Sequence, residues 1–108
     1  MTLDAGALIA LEAGDTQVKQ LLATAAARGL DIAIPAGVLA QVWRDGRRQV
    51  LLARLVRSAG TRVHDLTEDV AKAAGELCGR AGTSDVIDAT VVVCVRAQPN
   101  GVVVSGDS

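Results

Sequence analysis

Four apolar runs punctuate this chain, each too short for a helix and bounded by glycine, proline or acidic residues: Thr2–Leu3, Asp31–Ile34, Arg62–Leu66 and Gly101–Ser105. They read as strands. Between them lie segments with helical spacing, and short buried strands alternating with helices confine the chain to an α/β fold around a mainly parallel sheet. From Asp15 to Arg28 the apolar positions Val18, Leu21, Leu22, Ala25 and Ala26 recur at i, i+3, i+4, i+7 and i+8, with Asp15 as N-cap and Gly29 as the stop. Thr67 to Ala81 repeats this logic through Val70, Ala73, Ala74, Leu77 and Cys78, capped by Thr67 and closed by Gly79 or Gly82. Pro35 opens a further helix through Val38, Leu39, Val42 and Trp43, and another covers Gln49 to Arg57.

The stretch from Asp85 to Arg96 is β-branched enough to be a strand on propensity alone. Its length favours a helix, capped by Thr83 or Ser84, with Asp85 at the positive end of the helix dipole. The distinction matters, because a helix puts Asp85 and Asp88 on one face and a strand sends them to opposite faces.

A chain of 108 residues, 50% hydrophobic, is expected to form one domain over residues 1–108. Trp43 is its only aromatic residue, so the core must be aliphatic and no stacking platform for bases is expected. Cys78 and Cys94 lie sixteen apart in apolar segments with a single histidine, His64, which argues against zinc and redox chemistry. Reduced thiols, the lack of a basic leader and the lack of a membrane-spanning apolar stretch point to a cytoplasmic protein with no membrane association.

Acids stand where an aliphatic core would not place them: Asp4 beside the first strand, Asp85 and Asp88 heading a valine-rich run, and Asp107 after Val102, Val103 and Val104. An ionised carboxylate among aliphatic residues needs a partner, and like-charged neighbours need a cation. Mg²⁺ fits, with Mn²⁺ as a substitute, since hard cations take carboxylate oxygens and keep waters for substrate phosphates. Taken singly, Asp4, Asp85 and Asp107 are better explained as turn or cap residues, and it is the set together that favours a site; Asp88, flanked by Ile87 and Ala89, is poorly explained that way. Ligands of open α/β sheets gather outside the carboxyl ends of parallel strands, where all three regions would meet.

The net charge is −1, yet six arginines (Arg44, Arg47, Arg48, Arg54, Arg57 and Arg62) fall between Ala40 and Arg62 against the single acid Asp45. Such a tract suits phosphate contact or a solvated helix face equally.

In these residues the chain resembles the PIN-domain ribonucleases, and in particular the VapC-type toxins of toxin–antitoxin pairs. LDAGALIAL is similar to the family's first strand with its first acid, here Asp4. TSDVIDATVVV is similar to the start of the family's acid-bearing helix, placing Asp85 and an additional Asp88, and VVVSGD to its late strand, placing Ser105 and Asp107. The resemblance implies a three-layer α/β/α sandwich and Mg²⁺-dependent hydrolysis of RNA phosphodiesters. Asp4, Asp85 and Asp107 would hold metal, Asp88 would assist catalysis, and Gln41 and Ser105 would be auxiliary. Arg44, Arg47 and Arg48 would contact the RNA backbone. It also implies a cognate antitoxin and a homodimer. Two departures stand out. In IPAGVLAQVWR, Gln41 occupies the place of a family glutamate, and the chain ends at Ser108 where the family continues, so the last C-terminal helix or strand is expected to be missing. A catalytically silent PIN-like module that binds RNA or a protein is the competing expectation.

Overall fold

Every strand pairing in this computed structural model, which describes residues 1–98 and 101–105, is parallel. The sheet order is β3-β2-β1-β4, with β1 at Thr2–Leu3, β2 at Ile32–Pro35, β3 at Thr61–His64 and β4 at Val103–Val104. Thr2 faces Ala33 on one side and Val103 on the other. The two central strands are buried at every position, which accounts for a composition that is apolar apart from Thr2, whereas edge strand β3 alternates half-buried and exposed residues. Among the described residues six helices accompany them: α1 Ala5–Glu12, α2 Thr16–Ala27, α3 Ala36–Val42, α4 Val50–Val56, α5 Glu68–Ala81 and α6 Val86–Arg96.

The chain steps from β1 to β2 to β3 in one direction and then returns past both to pair β4 with β1. Right-handed crossovers therefore put α1 to α4 on one face of the sheet and α5 with α6 on the other. The packing agrees: α1 contacts α2, α3 and α4, and α5 pairs with α6. Leu3, Leu8, Ile34, Val38 and Leu52 sit fully enclosed at the centre of an aliphatic core, while Ala74, Cys78 and Ala89 form a smaller cluster between α5 and α6. Both cysteines are buried and free. No helix among the described residues is long and apolar enough to cross a membrane.

The caps explain the helix boundaries. Asp15 Oδ1 accepts from the Val18 N–H at 3.1 Å, Thr67 Oγ1 accepts from Val70 at 3.2 Å, and Gly82 takes the left-handed conformation (φ 69°) that ends α5. Two details depart from expectation. Helix α1 has no counterpart in the sequence reading, because AGALIALE is apolar around nearly its whole circumference and shows no amphipathic period. Helix α6 is capped by Asp85 itself; Thr83 instead uses its Oγ1 to accept the Asp85 N–H at 3.2 Å.

Reversal of strand order at β1 creates the switch point between β1 and β4, and the carboxyl-end rim there is where an α/β sheet presents a crevice.

Candidate active site

Asp4 follows β1 directly and begins α1, so it stands on that rim by connectivity alone. One carboxylate oxygen is committed locally: Oδ1 accepts from the Ala7 N–H at 2.9 Å. Its own N–H donates to the Val104 carbonyl at 3.2 Å, which ties the first acid to β4 and sets the exposed Ser105 beside it. Asp107 lies outside the described residues.

Asp85 reaches the same rim from the opposite layer. Its Oδ1 accepts from the Asp88 N–H at 3.1 Å, its N–H is held by Thr83, and its carbonyl accepts from the Cys78 thiol at 3.6 Å. Gly37 in the first turn of α3 packs against the first turn of α6, where a Cβ on Gly37 would meet Ile87 Cδ1 at 2.7 Å. The starts of α3 and α6 thus close on each other over the rim, and a side chain larger than alanine at Gly37 would wedge them apart.

Cap and ligand roles are compatible in this arrangement. A capping carboxylate spends one oxygen on a backbone N–H and keeps the other, so Asp4 and Asp85 satisfy the structural explanation and stay available as ligands. Asp88 caps nothing. Its pKa is raised above the ordinary aspartate value of 3.8, first by a side-chain hydrogen bond to Asp85 that only the protonated form donates, then by burial and by the negative charges of Asp85 and Asp4. The three acids therefore feel one another across the rim.

That crowding has a measurable consequence. A carboxyl whose folded-state pKa is raised destabilises the folded chain while ionised, and the penalty disappears as pH falls through the raised value towards 3.8. In metal-free buffer Asp88→Asn should raise the melting temperature slightly at neutral pH, by an amount limited by the exposure of the group. The gain should shrink steadily on acidification, and saturating Mg²⁺ should remove it. A gain of constant size across that window would show that Asp88 does not titrate against its neighbours.

Among the described residues no three His, Cys, Asp or Glu side chains close around one point. The donor set still fits a small hard cation, because Mg²⁺ takes one or two carboxylates and fills its remaining positions with water, and a cation there relieves the repulsion that raises the Asp88 pKa.

Gln41 is exposed in the last turn of α3, four residues after Gly37 and so on the face turned towards α6. The arginines divide. Arg44 Nη1 donates to the Ala40 and Trp43 carbonyls at 3.1 and 2.7 Å, closing the C-terminus of α3, and Arg48 leans on Asp45 at 3.9 Å. The Arg47 side chain has no hydrogen-bond or ion-pair partner among the described residues. Trp43 corrects one expectation: it is not absorbed by the helix face but follows α3 with 37% of its surface exposed, lining a cleft with Arg47 and Arg57. The support of Asp85 by Cys78 was likewise invisible in the sequence, which places them seven residues apart in different helices.

No protein-family model matches the sequence, and no curated protein does. The fold is similar to the crystal structure of VapC20 from Mycobacterium tuberculosis, a sarcin–ricin-loop-cleaving toxin, with a TM-score of 0.68 and 26% identity over 89% of this chain and 81% of that one. A likeness of that extent, joined to an all-parallel sheet whose order reverses at β1, gives the chain a PIN-like fold similar to that of a VapC-type toxin.

Proposed function

We propose that this protein is a Mg²⁺-dependent endoribonuclease and the toxin of a VapBC-type pair. The observation that carries the reading is the meeting of Asp4 with Asp85 and Asp88 at the switch point of a PIN fold, where the charges of Asp4 and Asp85 act on Asp88. Asp4 and Asp85 would hold the cation with their free oxygens, joined by Asp107 after β4. When bound, Mg²⁺ or Mn²⁺ supplies positive charge to the scissile phosphodiester and makes a water more acidic. Asp88, whose raised pKa brings it closer to neutrality, is suited to accept a proton from the attacking water. Ser105 would donate a hydrogen bond beside Asp4. The fold likeness supports a structured RNA hairpin as the first substrate to try, since VapC20 is a sarcin–ricin-loop-cleaving toxin. A cognate antitoxin covering the rim, a homodimer and a cytoplasmic location complete the reading.

The test is incubation of a hairpin RNA with purified protein in Mg²⁺, with and without EDTA. Strand scission in Mg²⁺ that EDTA stops is expected. Scission indifferent to EDTA would sink the metal-dependent reading.

A second reading, a silent module that binds RNA or protein, is favoured by two observations: Gln41 is neutral, and no three-ligand cluster closes among the described residues. It predicts RNA binding with no scission in any divalent cation.

A further inference from the structure

We propose that the cleft at the end of α3 binds one unpaired base of the RNA, with Trp43 stacked on it and Arg47 and Arg57 holding the flanking phosphates. The proposal takes its substrate class from the ribonuclease reading and adds a recognition site away from the acidic rim. The cleft has a volume of about 590 Å³ and is lined by Trp43, Gly46, Arg47, Ala53, Val56 and Arg57, together with Asp45, whose carboxylate is engaged by the Arg47 N–H and by Arg48.

The ring is held on one side and open on the other. A Cβ on Gly46 would lie 2.8 Å from Trp43 Cζ2 and 3.0 Å from Cη2, so the loop backbone backs the indole at a distance only glycine permits. Trp43 keeps 37% of its surface exposed in a chain that otherwise builds its core from aliphatic residues. A base has a π-face whatever its identity, and an indole fixed at the mouth of a cleft is a platform for it.

Charge selects the occupant. Residues 43–57 carry five arginines against the single acid Asp45. Arg44 and Arg48 are occupied by helix carbonyls and by Asp45, which leaves Arg47 free and Arg57 tied only by its Nε to the Ala53 carbonyl at 3.4 Å. Two guanidinium groups flanking an aromatic ring fit a nucleotide with a phosphate on either side, whereas a peptide offers no such repeat of negative charge. The position is suitable as well. Helix α3 starts at the rim and its seven residues span about 10 Å, the length of roughly three stacked nucleotides. A strand cut at the rim can therefore reach the cleft.

Trp43 is the only fluorescent aromatic, so its emission reports on this cleft alone. The Asp4→Asn protein, in Mg²⁺-free buffer, is titrated with a short single-stranded oligoribonucleotide and with an abasic oligomer of the same length, while fluorescence anisotropy of a label on the oligomer measures binding independently. The base-bearing strand is expected to quench Trp43 saturably, and the abasic strand to bind without quenching. Trp43→Leu is expected to weaken binding of the base-bearing strand about tenfold, the effect of one stacked base. Replacing Arg47 and Arg57 by glutamine is expected to lower the log–log salt slope by about 1.4, the value for two phosphates of a single strand. The arginine variants and the quenching itself decide the matter if Trp43→Leu does not fold. Equal quenching by the abasic strand, or RNA binding with no quenching, overturns the proposal; the second result would leave the cleft to a protein partner. Quenching without scission by the wild type in Mg²⁺ would keep this site and sink the nuclease reading, and scission with Trp43 unquenched would do the reverse.

Discussion

Asp4→Asn is expected to lower Mg²⁺-dependent RNA cleavage by more than about 100-fold, because loss of a group merely supporting a metal ligand already costs about 10–100-fold. The same change should leave the melting temperature unchanged or slightly higher. Asparagine is as good an N-cap as aspartate, so the hydrogen bond from the Ala7 N–H to the side-chain oxygen survives while the negative charge that acts on Asp88 disappears. Asp4→Ala removes both. It should lose activity to the same degree and also lose about 0.5–2 kcal/mol of stability with the cap. Cleavage assays and thermal melts on the two variants thus separate a metal role from a cap role at one carboxylate. If Asp4→Asn cleaves like the wild type, Asp4 is a cap residue alone and the metal site must be sought elsewhere.

The parts of the fold that were legible in the sequence are those where one local signal decides the structure. Asp15, Thr67 and Gly82 mark helix ends through side-chain oxygens and a left-handed glycine, and each acts within four residues of itself. Helix α1 was illegible for the opposite reason. It is fixed by packing against β1, α2, α3 and α4, and the apolar Ile9 on its exposed side erases the amphipathic period that would announce a helix. Strand β3 begins one residue earlier and ends two residues earlier than its apolar run suggests, because its limits follow the register against Ile32–Pro35 and not its own composition.

The candidate site shows the same division. Asp4, Asp85 and Asp88 could be singled out because acids at the ends of apolar segments are costly without a use, and the sheet topology brings their elements to one rim. That the cap bonds of Asp4 and Asp85 each leave one carboxylate oxygen uncommitted was not readable, since a cap bond and a free oxygen on one carboxylate differ only in geometry. The arginines were readable as a group and not one by one. Arg44 closes α3 through its own guanidinium while the side chain of Arg47, three residues on, has no partner among the described residues. The surroundings of Trp43 were not readable, because the close approach of Gly46 to the indole is set by the loop after α3 and not by helical spacing.

Gln41→Glu is the complementary experiment, in which charge is added. Gln41 and Gly37 lie on the face of α3 turned towards α6, and helical side chains lean towards the N-terminus, so position 41 is directed back along α3 towards the rim. A neutral amide there supplies an oxygen but no charge, and a carboxylate should lower the Mg²⁺ concentration for half-maximal cleavage by about 10–100-fold. The cost appears when metal is withheld. A further negative charge at a rim where Asp85 and Asp4 already raise the Asp88 pKa should reduce the melting temperature in EDTA. Tighter binding should then make the rise on adding Mg²⁺ larger than in the wild type, since a ligand held only by the folded chain stabilises it by about 2.7 kcal/mol at a hundred times its dissociation constant. The pair of readouts distinguishes a metal role from a packing role. A change in stability that ignores Mg²⁺, with cleavage unaltered, would place position 41 outside the metal site.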